Sequence, residues 1–97
     1  MIYIAGLSGS AEAEPEAPGV WDASVNVNLD RTDGKGAGPT QITYTVNGGS
    51  PQTANGKSLS AKDLTGSSAT FVVVNVSASV PYDPALNVQT SITVFSP

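Results

Sequence analysis

Between Trp21 and Leu29 apolar and polar residues alternate without a break, with Trp21, Ala23, Val25, Val27 and Leu29 in one register and Asp22, Ser24, Asn26 and Asn28 in the other. A period of two sends successive side chains to opposite faces of an extended backbone, so this run predicts a strand with one face in a core and one in water. The pattern returns in Ile42, Tyr44 and Val46 against Gln41, Thr43 and Thr45, and again in Leu86, Val88, Thr90, Ile92 and Val94. No stretch of similar length places apolar residues at i, i+3 and i+4, the spacing by which a helix faces a core. An all-β fold is the expectation.

The segments between these runs are rich in turn-forming residues. Asp30 to Pro39 holds three glycines and ends in a proline that cannot donate to a ladder, which predicts a long loop. Asn47-Gly48-Gly49 closes the second run as a hairpin turn, after which the chain is expected to return through Gln52–Ala54, turn again at Asn55-Gly56 and pair weakly over Ser58–Ala61. Leu64 reads as an apolar plug beneath a connection between sheets. Phe71 to Val80 is the most apolar segment; Val72, Val74, Val76, Ala78 and Val80 share one face and Phe71 and Val73 begin the other, as in a strand covered on both sides. About seven short antiparallel strands with turn signals every 8–12 residues or so predict a β-sandwich, with a barrel as the alternative.

A chain of 97 residues supports one core. Only 12 % of the residues are charged, about half the usual share, and Ser, Thr, Asn and Gly fill the difference. The net charge is −4, and Glu12, Glu14 and Glu16 supply three of the eight acids, so the remaining chain is nearly neutral. Its four cations, Arg31, Lys35, Lys57 and Lys62, make no stripe that could neutralise successive phosphates, which argues against nucleic-acid binding. There is no apolar run long enough for a membrane helix. The first residues lack the basic flank and long apolar segment of a signal peptide, so cytoplasmic synthesis is expected.

The N-terminal part differs in character. Residues 1–7 are apolar, through Ile2, Tyr3, Ile4 and Leu7, whereas residues 8–19 mix Gly, Pro, Ala and Glu in a way that reads as an extended tether. The chain therefore divides into an N-terminal arm and linker, 1–19, and a sandwich domain, 20–97. A tether of that length reaches on the order of 40 Å, enough for Ile2, Tyr3, Ile4 and Leu7 to dock on a neighbouring subunit by adding a strand to its edge. A first strand folded onto its own sandwich is the equal alternative.

Catalytic chemistry has few carriers. With no His and no Cys, the commonest general base, nucleophilic thiolate and soft metal ligands are missing, and no catalytic, cofactor-binding or metal-ligating residues are assigned. Asp30 and Asp33-Gly34 have the carboxylates and glycine turn of a calcium loop without its ligand spacing, so carboxylates bonding turn amides account for them better. Trp21, Tyr44 and Tyr82 could stack on sugars. Trp21 and Tyr44, however, lie in the apolar register of their strands, which leaves Tyr82 as the exposed one. Asn75-Val-Ser77 meets the glycosylation sequon inside a predicted central strand, and Pro15 and Pro18 form a P-x-x-P without basic flanks. Both read as incidental.

The stretches Ile42-Thr-Tyr-Thr-Val-Asn-Gly-Gly and Asp63-Leu64-Thr-Gly-Ser-Ser-Ala-Thr-Phe71-Val-Val-Val-Asn-Val-Ser-Ala resemble fibronectin type III and related immunoglobulin-like domains over about residues 20–96. In that family a leucine before a turn precedes the aromatic that opens a long central strand, the positions of Leu64 and Phe71. Phe71 departs from the family's tyrosine, so no tyrosine corner forms. Cysteine-free, signal-less, Ser/Thr/Gly-rich immunoglobulin-like proteins of this size also resemble accessory proteins of tailed-bacteriophage virions, which decorate capsids or tails. That resemblance implies a non-enzymatic structural protein located in the virion, partnered by a lattice of major capsid or tail protein or by its own copies, and able to touch a host-surface glycan. The alternative is an immunoglobulin-like module of a bacterial surface adhesin or carbohydrate-active enzyme, cell-surface or secreted.

Overall fold

The computed structural model describes residues 1–97. The chain forms strands β1 (Ile2–Ala13), β2 (Trp21–Arg31), β3 (Thr40–Val46), β4 (Gln52–Asn55), β5 (Ser58–Leu64), β6 (Ser68–Ala78) and β7 (Ser91–Phe95), with a single 3₁₀ turn at Pro84–Leu86 before the last strand. They make two antiparallel sheets, one of three strands in the order β1-β2-β5 and one of four in the order β4-β3-β6-β7. The fold is an all-β sandwich, as the periodicity of the sequence predicts. Its long axis measures 46 Å, set by β1, β2 and β6, each 11 or 12 residues long.

β2 supplies the spine of one sheet. Every residue of its apolar register, Trp21 to Leu29, is buried and every intervening one is more open. Ile42 and Tyr44 of β3 and Phe71 of β6 face it from the other sheet, and the Tyr44 and Phe71 rings stack with centroids 6.1 Å apart. Phe71, Ile2, Ile4, Ile42, Leu59 and Val25 are fully enclosed. Each large side chain withdrawn from water in this way contributes about 1.5–3 kcal/mol.

Three expectations are corrected. Residues 8–19 are not a tether: β1 runs on through Ala13 and pairs with β2 along its whole length, from Ile2 opposite Arg31 to Ala13 opposite Trp21. The arm-and-linker division at residue 19 therefore falls inside the sandwich. A bulge at Ala5 shifts the register, after which Leu7, Gly9, Ala11 and Ala13 point inward and Ser8, Ser10 and Glu12 point outward. The inward residues are small because β7 packs over them; a Cβ on Gly9 would stand 2.5 Å from Val94 Cγ2.

β6 is not covered on both faces. Its ladder with β3 skips a residue, Thr43 facing Asn75 and Tyr44 facing Val73, so that Val74 bulges out. The bulge inverts the alternation. Ala69, Phe71, Val73 and Val76 point inward, while Val72 and Val74 are 36 % and 56 % exposed. The last strand is also shorter than the alternation from Leu86 suggests. Asp83 accepts the Ala85 amide at 3.0 Å, winding Pro84–Leu86 into the 3₁₀ turn, and Leu86 and Val88 remain exposed.

Candidate functional site

The four residues read as a docking arm occupy their own domain. Ile2 and Ile4 are 0 % exposed in the core, Leu7 packs against it half-buried, and Tyr3 is half-buried on the outer side of β1. Residues 81–89 hold this part of β1 in place. The Ile2 amide donates to the Pro81 carbonyl at 2.8 Å, the Asp83 and Val88 amides donate to the Ile2 and Ile4 carbonyls, and the side chains of Asn87 and Gln89 accept the Ile4 and Leu7 amides. With both isoleucines inside and the strand bonded on both edges, no strand is left to lend to a neighbour. Ile2 and Ile4 thus belong to the core of their own sandwich, the alternative in which the first strand folds onto its own domain.

The other candidates are also accounted for locally. Asp33 forms an ion pair with Arg31 at 2.9 Å and accepts the Lys35 amide at 3.0 Å, the turn role expected of it rather than a calcium loop. Trp21 is buried, its indole N–H donating to the Gly66 carbonyl at 2.9 Å. Tyr44 is buried too. Its hydroxyl crosses between the sheets to donate to the Ser60 carbonyl at 2.9 Å. Tyr82 is half-buried rather than exposed and accepts from Asn87 at 2.7 Å.

Strand pairing assembles one group that the sequence conceals. Glu14, Asp22 and Asp63 bring carboxylate oxygens within 4.8 Å of one another, although they are far apart along the chain. A bulge in β5 opposite Asp22 turns Asp63 into left-handed backbone with φ 57°, and its amide donates to the Asp22 carboxylate at 3.1 Å. Clustered carboxylates are the ligands a hard cation takes. No Lys or Arg forms an ion pair with any of the three. Beside this cluster, a cavity of about 370 Å³ at the end of the sandwich is lined by Trp21, Val20, Gly66 and the hydroxyls of Thr65, Ser67 and Ser96. Its walls contain no ionisable side chain to act as acid or base.

The clearest asymmetry lies between the two outer faces. On the three-stranded sheet the outward residues are mostly polar and several are charged: Glu12 stands directly opposite Asp22, Asp30 opposite Tyr3, and β5 adds Lys62. On the four-stranded sheet they are uncharged throughout and largely β-branched. Thr43, Thr45 and Thr53 come from β3 and β4, Thr70, Val72 and Val74 from β6, and Thr93 and Phe95 from β7. Phe95 is 70 % exposed, and the Thr70 and Thr93 hydroxyls bond to each other at 3.1 Å, holding neighbouring side chains in fixed rotamers. β-branched side chains on a ladder lose little freedom on binding, because most is already lost. Comparison with protein-family models, with curated proteins and with solved structures gave no match.

Proposed function

We propose that this chain is a non-enzymatic structural protein of immunoglobulin-like fold that decorates the capsid or tail of a bacteriophage virion, seated on the protein lattice by the outer face of its four-stranded sheet. One observation carries the seating: that face bears no charge and exposes Val72, Val74 and Phe95, while Glu12, Asp22, Asp30 and Lys62 put charge on the opposite face. Contact surfaces between proteins are depleted of charge at their centres and enriched in aromatic residues, because charges are costly to dry and rings are not. The charged face is then left toward solvent and host. The strand order supports the fold assignment. Strands one, two and five share one sheet and three, six and seven the other, as in immunoglobulin domains, with the fourth strand added to the second sheet.

The test is occupancy on gradient-purified particles from cells producing the virion together with the wild-type or Val74→Glu chain, quantified by mass spectrometry. A carboxylate in the middle of a drying contact should reduce occupancy by about tenfold or more. A chain absent from the particles, or a Val74→Glu chain at wild-type occupancy, would refute the reading.

A further inference from the structure

A two-sheet sandwich has four edge strands, each with unpaired backbone groups able to template another strand. Three are protected here. β4 has only four residues. β5 is capped by the Tyr44 hydroxyl, which sits on the Ser60 carbonyl. β1 is stitched to residues 81–89 over its first half and carries the acid Glu12 over its second. β7 lacks such protection: Ser91-Ile-Thr-Val-Phe95 contains no charge, no proline and no bulge, and its one strand neighbour is β6.

The bonding register of β7 identifies which groups are open. The Thr90 carbonyl accepts the Val73 amide and the Ser96 amide donates to the Ser67 carbonyl, so the even-numbered residues bond toward β6. The amides and carbonyls of Ser91, Thr93 and Phe95 therefore point off the sheet, and only the Ser91 carbonyl is engaged, by the Gln89 side chain at 3.1 Å.

We infer that β7 is a self-association edge, pairing antiparallel with β7 of a second copy about a twofold axis at Thr93 to give one continuous eight-stranded sheet. The sequence is self-complementary about that point. Thr93 meets Thr93, Ser91 meets Phe95, and Ile92 meets Val94 on the inner side, so the outward amides and carbonyls of the two strands satisfy each other. The axis stands perpendicular to the sheet, so the two uncharged outer faces join into one surface. The dimer does not depend on the virion assignment.

Sedimentation velocity of the full chain across a dilution series should show a monomer–dimer equilibrium. Thr93→Lys, which sets two ammonium groups opposite each other, should weaken it by about tenfold or more. Thr93→Pro should do likewise, because the lost amide bonds nothing in the monomer; circular dichroism checks that both variants fold. The chain has no native cysteine, so Thr93→Cys tests the register. Its Cα–Cα separation across the axis, about 5.5 Å, lies within disulfide range, and oxidation should give a covalent dimer that Ser50→Cys, in an exposed turn, does not. A monomer at every concentration, a dimer indifferent to both Thr93→Lys and Thr93→Pro, or equal cross-linking through Ser50→Cys would overturn the inference.

Discussion

Replacing Gly9 with Ala tests the placement of β1 with a sign as well as a size. Gly9 does not have positive φ, so alanine is conformationally allowed there. In an uncrowded strand it would stabilise the protein by about 0.4–1 kcal/mol through the reduced entropy of the unfolded chain. Here the new methyl would stand 2.5 Å from Val94 Cγ2, 3.6 Å from Ile92 Cδ1 and 3.6 Å from the Ser24 carbonyl. Carbon atoms in contact rest about 3.5–4.0 Å apart, so β1 and β7 must separate by roughly 1 Å, and Val94 is a stiff β-branched residue only 6 % exposed. Overpacking of this kind costs about 1–3 kcal/mol. Less the entropic gain, Gly9→Ala should destabilise the domain by about 1–2 kcal/mol, lowering Tm by about 4–16 °C. Thermal denaturation followed by circular dichroism measures it, and Val94→Ala in the same chain should recover part of the loss, a coupling of about 1 kcal/mol in a double-mutant cycle. An unchanged or raised Tm for Gly9→Ala would refute the close packing of β1 under β7.

Two further substitutions examine the polar groups. Tyr44→Phe removes the hydroxyl that reaches the Ser60 carbonyl at 2.9 Å and should cost about 0.5–1.5 kcal/mol, read as a lower urea midpoint with unchanged slope. Glu14→Lys replaces one of three clustered carboxylates by a cation and should stabilise by about 0.2–1 kcal/mol at low ionic strength, a gain that shrinks in molar salt.

What could be read from the sequence depends on the sizes of the inward residues. In β2 they are Trp, Val and Leu, and the contrast with Asp, Ser and Asn makes the alternation plain. In the second half of β1 the alternation is just as regular, Gly9, Ala11 and Ala13 against Ser8, Ser10 and Glu12, but glycine and alanine give it almost no hydrophobic contrast. The reason for their smallness, Val94 of the opposite sheet, lies at the far end of the chain. β6 fails differently. Its residues are legible as strand, but the bulge at Val74 reverses which of them face the core, and bulges leave no mark on a periodicity count. That reversal also hid the uncharged outer face. The carboxylate group of Glu14, Asp22 and Asp63 depends on three strands meeting, and the nearest sequence signal was the acidity of residues 12–16 alone.

The stitching of β1 by residues 81–89 bears on how the molecule comes into being. Within this domain Ile2 and Ile4 leave the ribosome ahead of the residues whose hydrogen bonds fix them, Pro81, Asp83, Asn87 and Val88, which lie at the far end of the fold. Until those residues emerge, the first strand can pair on one side only, and its two isoleucines have an incomplete roof. Contacts between such distant parts of a chain form slowly, because the long loop between them must close first. The first strand of the domain is therefore expected to be secured late, once residues 81–89 are in place to close over Ile2 and Ile4.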